Sequence, residues 1–322
     1  MNKPKLSVIV PIWGVEKYIE KCARSLFEST LDDIEFIFVD DCTPDKSVEV
    51  LKSIMDFYPK RKAQSILIRH ETNKGLPQAR KTGFEASHGE WITYVDSDDW
   101  IDPKMYERLF EKVDNESRTD LIFCDFVFLS DTEVIWRPTY NCNQTSDELR
   151  MNILLGRISN AVWNKIVNRR IYDNNIFFPK FSMDEDDVLT VQWTYYSKRI
   201  CYVPECLYYH FANPESMTHE IDKNKIERHL NEQIENRKWI VGFLEANNEP
   251  ELDYVIYLYK FSVKHLFTRL HGMTSRNIYK DINRKMIFDK RIVFSQRIKN
   301  LLFLYSPLRG LLLRKVVNLF RN

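Results

Sequence analysis

Asp96, Asp98 and Asp99 place three carboxylates within four positions, directly after the strand-forming run Trp91-Ile92-Thr93-Tyr94-Val95. Acidic side chains resist burial unless they are paired or hold a cation. Asp96 and Asp98 are two apart, so both can point to one side of an extended turn. Hard oxygen donors in that arrangement suit Mg²⁺ or Mn²⁺ carrying a phosphate-rich ligand. A solvated acidic turn capping the next helix, with Asp102 and Pro103 as its start signal, accounts for the same residues. Asp40-Asp41 close another apolar run, 34–39. A third acidic run, Asp184-Glu185-Asp186-Asp187, opens a helical pattern that reaches Tyr196. Carboxylates there also suit the positive end of a helix.

These groups need a scaffold, and the chain supplies one. Residues 6–10 read as a buried strand stopped by Pro11. Over 15–27 the apolar spacing is helical, with Tyr18, Ile19, Cys22, Leu26 and Phe27 on one side. A strand at 34–39, a helix at 44–58, a strand at 65–69, a helix at 75–87 and a strand at 91–95 follow. Strands alternating with helices imply a parallel α/β sheet. Ligands of such sheets bind at the carboxyl ends of strands, where Pro11 to Trp13, Asp40-Asp41 and Asp96 to Asp98 all fall. A helix is then expected to about Val113, strands at 120–129 and 133–136, and a Thr145-x-x-Glu148 capping box before a helix. A helix is expected at 161–168 and short strands at 200–203 and 206–211. From about Thr218 glycine and proline thin out and long helical patterns dominate, which sets a boundary there.

The 322 residues predict roughly two domains. A hydrophobic share of 44% and a net charge of +1 describe an ordinary globular chain with no overall field for nucleic acid. The six cysteines show no Cys-x-x-Cys or zinc spacing. No run of about 18 apolar residues marks a membrane span, and the N-terminus does not read as a signal peptide. The expected location is the cytoplasm, at the inner face of the cell membrane. Residues 290–322 hold eight Lys and Arg and no Asp or Glu, interleaved with leucines. Such a basic amphipathic segment suits an anionic membrane surface; a terminal helix docked on its own protein explains it too.

A dinucleotide fold needs a glycine-rich turn after the first strand, and here that turn has Gly14 alone. The P-loop pattern is absent as well. Pyrophosphate would need another counter-charge, which a metal on Asp98 supplies. In order and spacing, four motifs resemble the inverting family 2 glycosyltransferases of GT-A fold. They are Leu6-Ser7-Val8-Ile9-Val10-Pro11, Val39-Asp40-Asp41-Cys42-Thr43-Pro44-Asp45, Asn73-Lys74-Gly75-Leu76-Pro77-Gln78-Ala79-Arg80 and Tyr94-Val95-Asp96-Ser97-Asp98-Asp99. The resemblance is clear over 5–105 and continues weakly through Phe177-Phe178-Pro179 and Glu185-Asp186 to Tyr208-Tyr209-His210.

The resemblance implies a mixed α/β sheet with helices on both faces. It assigns 1–218 to a catalytic domain, with a nucleotide-sugar half at 1–105 and an acceptor half at 106–218. A helical region, 219–322, follows. Pro11 and Trp13 would meet the donor base, Asp40 and Asp41 the base or ribose, and Arg80 and Ser97 the donor. Asp96 would reach ribose or metal, and Asp98 would bind Mn²⁺ or Mg²⁺ directly, with His210 as a third metal or phosphate contact. Asp186 would be the catalytic base, with Glu185 beside it. Trp163-Asn164-Lys165 border the acceptor or pack as a helix. The implied partners are a nucleotide-diphosphate sugar, UDP-linked by family habit, and a glycan or lipid-linked acceptor in surface polysaccharide synthesis. A non-catalytic nucleotide-sugar-binding homologue and a nucleotidyltransferase are the competing readings.

Overall fold

The computed structural model describes residues 3–113, 118–130, 133–136, 140–141, 143–213, 222–247, 249–271, 278–279 and 282. The chain divides into two compact units, residues 1–220 and 221–322. In the first unit the elements run β1 (Leu6–Ile12), α1 (Ile19–Phe27), β2 (Ile34–Asp40), α2 (Ser47–Phe57), α3 (Pro59–Ala63), β3 (Ser65–Arg69), α4 (Leu76–Ala86) and β4 (Trp91–Tyr94). They continue with β5 (Trp100–Ile101), α5 (Met105–Phe110), β6 (Leu121–Leu129), β7 (Val134–Trp136), α6 (Ser146–Leu154), β8 (Lys165–Asn168), α7 (Glu185–Tyr196) and β9 (Ile200–Phe211).

The described strands form one sheet in the order β3-β2-β1-β4-β8-β6-β9-β5, with β7 on β6. β3, β2, β1 and β4 are parallel, as alternating strand and helix require. β8 enters antiparallel between β4 and β6, and β9 runs parallel to β6. The sheet is therefore mixed. Along β2, Phe36 and Phe38 join a core with α1, α2 and α5, while Ile37 and Val39 join a second core with α4, α6 and α7. The period of two in a strand sends neighbours to opposite faces, so helices cover both. β1 and β2 are buried at every position, as befits central parallel strands.

Three differences from the sequence expectation have physical causes. Residues 165–168 form a strand, not a helix: Lys-Ile-Val-Asn is short and β-branched, and its backbone pairs with both β4 and β6. Residues 200–211 form one strand. A register shift seats Cys124 opposite Val203 but Asp125 opposite Cys206, so Pro204 and Glu205 sit in a bulge where a missing N–H is tolerated. β5 and α3 were not anticipated; each is too short to show a period. The capping box at Thr145 and Glu148 is present in full.

The second unit contains α8 (Lys223–Ala246) and α9 (Asp253–His271). Asp222 caps α8 by accepting from the backbone N–H groups of Asn224 and Lys225. Leu230 and Ile234 pack on Val263 and Leu266. No described helix is long and apolar enough to cross a membrane. The basic stretch 290–322 lies outside the described residues.

Candidate active site

The acidic turn sits at the carboxyl end of β4. Val95 N–H donates to the Ile9 carbonyl at 3.0 Å, extending the pairing by one residue. Asp99 N–H then donates to the Asp96 carbonyl at 3.0 Å, and the chain leaves as β5, antiparallel to β9. Asp99 is sealed in the core. It accepts from the Tyr208 hydroxyl at 2.7 Å, the Phe211 N–H at 2.8 Å and His210 Nδ1 at 3.0 Å. The Tyr208 oxygen in turn accepts the Asp96 N–H at 3.2 Å. Asp99 thus anchors the turn, and its neighbour Asp98 meets the Asn213 side-chain amide at 2.9 Å. The His210 ring stacks on both Phe128 and Trp163, at 5.1 and 5.2 Å between centroids.

Charge in the turn is unbalanced. Burial raises Asp96 to about 7 against the pull of Arg80, with Asp99, Asp186 and Asp98 pushing the same way as burial. Burial and Asp99 also raise Asp98. Burial lowers His210, but the hydrogen bond and charge of Asp99 prevail and hold it at about 9. At neutral pH His210 is an imidazolium, and its Nδ1–H belongs to Asp99.

Arg80 joins this turn to the second acidic run. It lies on α4, whose Gly83 lets the helix approach β1 so closely that an added Cβ would overlap Ile9. The guanidinium is 1% exposed. Nη2 donates to Asp96 Oδ1 at 2.7 Å and Nη1 to Asp186 Oδ1 at 2.6 Å, and Nη1 also pairs with Glu185. Asp184 takes a left-handed φ of 61° at the N-cap of α7. Glu185 is buried, whereas the Asp186 side chain is 30% exposed.

At the ends of β1 and β2, Trp13 is 51% exposed. Gly14 has φ 68° and donates its N–H to Thr43 Oγ1 at 2.8 Å, a left-handed turn that glycine adopts without strain. Asp40 accepts from Thr43 N–H and pairs with Arg69. Asp41 accepts from His70 Nδ1 and from the N–H groups of Lys74 and Gly75 at 2.7, 2.8 and 2.8 Å. Both carboxylates are buried, so much of their capacity shapes the turn before α4 rather than a ligand. Pro11 and Ser97 are buried.

The segment 159–165 closes the other side. Lys165 is fully buried, and its Nζ donates to the carbonyls of Ser159 and Ala161 and to Asn164 Oδ1, at 2.8, 2.6 and 2.8 Å. Burial brings it down to about 7, with Asp186, Cys124 and Asp187 opposing. Trp163 stacks on Tyr208 at 4.3 Å, and Asn160 O accepts from Thr190 of α7.

The structure brings Asp96, Asp98, His210, Arg80, Glu185 and Asp186 into one neighbourhood. Arg80 is buried, with its fork on carboxylates. Among the described residues no three His, Cys, Asp or Glu side chains converge as metal ligands. Asp96 faces Arg80, and His210 faces Asp99. Asp96 and Asp98 remain two carboxylates on one turn. That fits a cation such as Mg²⁺, which takes one or two protein carboxylates and completes its shell with phosphate and water. The sequence assigns no separate role to Asp99 or Tyr208. Tyr208 and His210, two apart on a strand, were the available signal, since such residues share a face.

The family described as Glycosyl transferase family 2 matches residues 7–180. A relative described as uncharacterized glycosyltransferase EpsJ, of Bacillus subtilis, is 30% identical over 291 residues, covering 88% of this chain and 82% of its own. The solved structure of S. aureus TarS 1–349 in complex with UDP-GlcNAc superposes with a TM-score of 0.59 at 18% identity, over 88% of this chain and 83% of that one. The mannosyltransferase PcManGT of Pyrobaculum calidifontis, in complex with GDP-Man and Mn²⁺, gives 0.54 at 14% identity, over 96% and 83%. The likeness in both cases is one of fold, and the mixed sheet with helices on both faces is the GT-A architecture.

Proposed function

The chain belongs to glycosyl transferase family 2, and from that premise we propose that it transfers a sugar from a UDP-sugar to a hydroxyl of a glycan or lipid-linked acceptor in cell-surface polysaccharide synthesis, with inversion. The observation that carries this reading is the meeting of two acidic sites at one sheet edge, Asp96 and Asp98 on one side and Glu185 and Asp186 on the other, around Arg80. A nucleotide-binding module without chemistry has no use for the second site. A nucleotidyltransferase wants basic residues around a triphosphate, and this edge is acidic.

Trp13, exposed just after β1, would stack on the donor base. Asp98, with Asp96, would hold Mn²⁺ or Mg²⁺, which when bound neutralises charge developing on the leaving diphosphate. The His210 imidazolium adds positive charge beside the turn and suits a phosphate oxygen better than a metal. Asp186 is a partly open carboxylate that faces Arg80, whereas Glu185 beside it is buried. Asp186 takes the proton of the acceptor hydroxyl as that oxygen attacks the anomeric carbon from the face opposite the nucleotide. The bond from sugar to diphosphate breaks in the same displacement, so the configuration inverts.

The relative S. aureus TarS was solved with UDP and with UDP-GlcNAc, which supports a UDP-sugar donor. The deciding experiment pairs a thermal-shift panel of UDP-, GDP- and dTDP-sugars with Mn²⁺ and a nucleotide-release assay. One donor should stabilise the protein, and Asp186→Asn should keep that binding while losing about 10²–10⁴-fold in turnover. Full turnover in Asp186→Asn alongside loss in Asp184→Asn or Glu185→Gln would move the base to a neighbour. No stabilising donor at all would reject the reading.

A further inference from the structure

We propose that Arg80 is a positioning residue whose guanidinium, clamped between Asp96 and Asp186, fixes the base carboxylate relative to the donor end of the site. The inference rests on the reading of Asp186 as the base. Three observations lead to it. The guanidinium is 1% exposed, while the Asp186 carboxylate in front of it is 30% exposed. The cation is therefore sealed behind the group that meets the acceptor. Its two short bonds reach residues 16 and 106 positions away in sequence, so one planar fork ties the end of β4 to the start of α7. The fork itself is held: α4 is seated on β1 at Gly83, and the guanidinium carbon lies 5.7 Å from the centroid of the Tyr94 ring.

The arginine fork matters here because its donors sit in a rigid plane, whereas a lysine ammonium is a point charge on a flexible stem. Lysine at this position keeps the charge but does not bridge Asp96 and Asp186 in the same plane. A displacement of about 1 Å at a reacting group costs on the order of 10²-fold in rate. A residue that only stabilises the fold has no reason to separate binding from turnover, or to act through Asp186.

The test is a double-mutant cycle with UDP-GlcNAc and Mn²⁺, or with whichever donor the thermal-shift panel selects. It compares the parent, Arg80→Lys, Asp186→Asn and the double variant, with Arg80→Met as a harsher control. For each, UDP affinity in Mn²⁺ is measured by calorimetry and nucleotide release by initial rates. Arg80→Lys should leave UDP affinity and donor KM within about threefold and lower kcat by tenfold or more. In the Asp186→Asn background the same change should cost less than threefold. Equal fold-losses in both backgrounds, or weakened UDP affinity with unchanged kcat, would overturn the proposal while leaving the base in place. If Asp186→Asn alone loses nothing, the base reading fails first and takes this one with it. Should Arg80→Met not fold, Arg80→Lys still decides, because it retains the buried positive charge.

Discussion

The Tyr208 hydroxyl donates to Asp99 at 2.7 Å, and its oxygen accepts the Asp96 N–H, so one side chain holds both ends of the acidic turn. Asp99 is buried and the bond to Asp96 part-buried, and a buried polar group that loses its partner costs about 1–3 kcal/mol. Tyr208→Phe keeps the ring that stacks on Trp163 and removes only these two bonds. It should lower stability by that amount in urea titrations with an unchanged slope, and it should weaken UDP binding in Mn²⁺. A loss below about 0.5 kcal/mol with unaltered UDP affinity would show the turn is held elsewhere.

Asp98→Asn tests the cation. The side chain sits at the turn with one oxygen on the Asn213 amide, and the substitution keeps its shape. Calorimetry of UDP with and without Mn²⁺ should show the metal-dependent part of binding lost, with thermal unfolding near that of the parent. Parent-like UDP affinity in Mn²⁺ would remove Asp98 from the site.

Most of the first hundred residues were legible because each strand of the parallel half is a mostly apolar run followed by polar residues. Strand ends are where such sheets bind ligands, so the places of the acidic turn and of Trp13 in the fold followed from position, while the roles expected of them came from the family resemblance. Residues 165–168 were not legible as a strand. The stretch 161–168 spans only about two helical turns, and β8 owes its state to pairing with β4 and β6. The roles of Arg80 and Asp99 were hidden for a related reason. Their partners, Asp186 and Tyr208, lie 106 and 109 positions away, and no local pattern reports such a pair.

Lys165 predicts a pH dependence of stability. Burial brings its folded pKa to about 7, below the ordinary lysine value near 10.4. Between those values the unfolded chain binds the proton and the folded chain does not, so folding stability rises with pH across that window. The penalty for burying the charge is fully present below about pH 7 and fades above it. Its slope is at most about 1.4 kcal/mol per pH unit. Urea titrations of the parent and Lys165→Met at pH 6, 8 and 9.5 isolate this group. The parent should gain on the variant as pH rises. A constant difference would mean that the three oxygens around Nζ keep the ammonium charged throughout.

Residues 290–322 should bind anionic membranes, and salt should weaken the binding. The segment carries eight positive charges and no acidic partner of its own, among many leucines. Each Lys or Arg close to an anionic surface contributes about 1 kcal/mol, falling off within a Debye length. Pro307 and Gly310 interrupt a continuous helix, so not all eight can face the surface together. Half of them engaged would give roughly 4 kcal/mol, added to by the leucine-rich face, which suits reversible peripheral binding. A lipid-linked acceptor would be met on that same surface. Deleting 290–322 should release the protein from vesicles containing anionic lipid and leave nucleotide release from the donor unchanged. Co-sedimentation decides it: equal binding by the full chain and the truncation, or none by either, would make the segment a structural helix of its own protein.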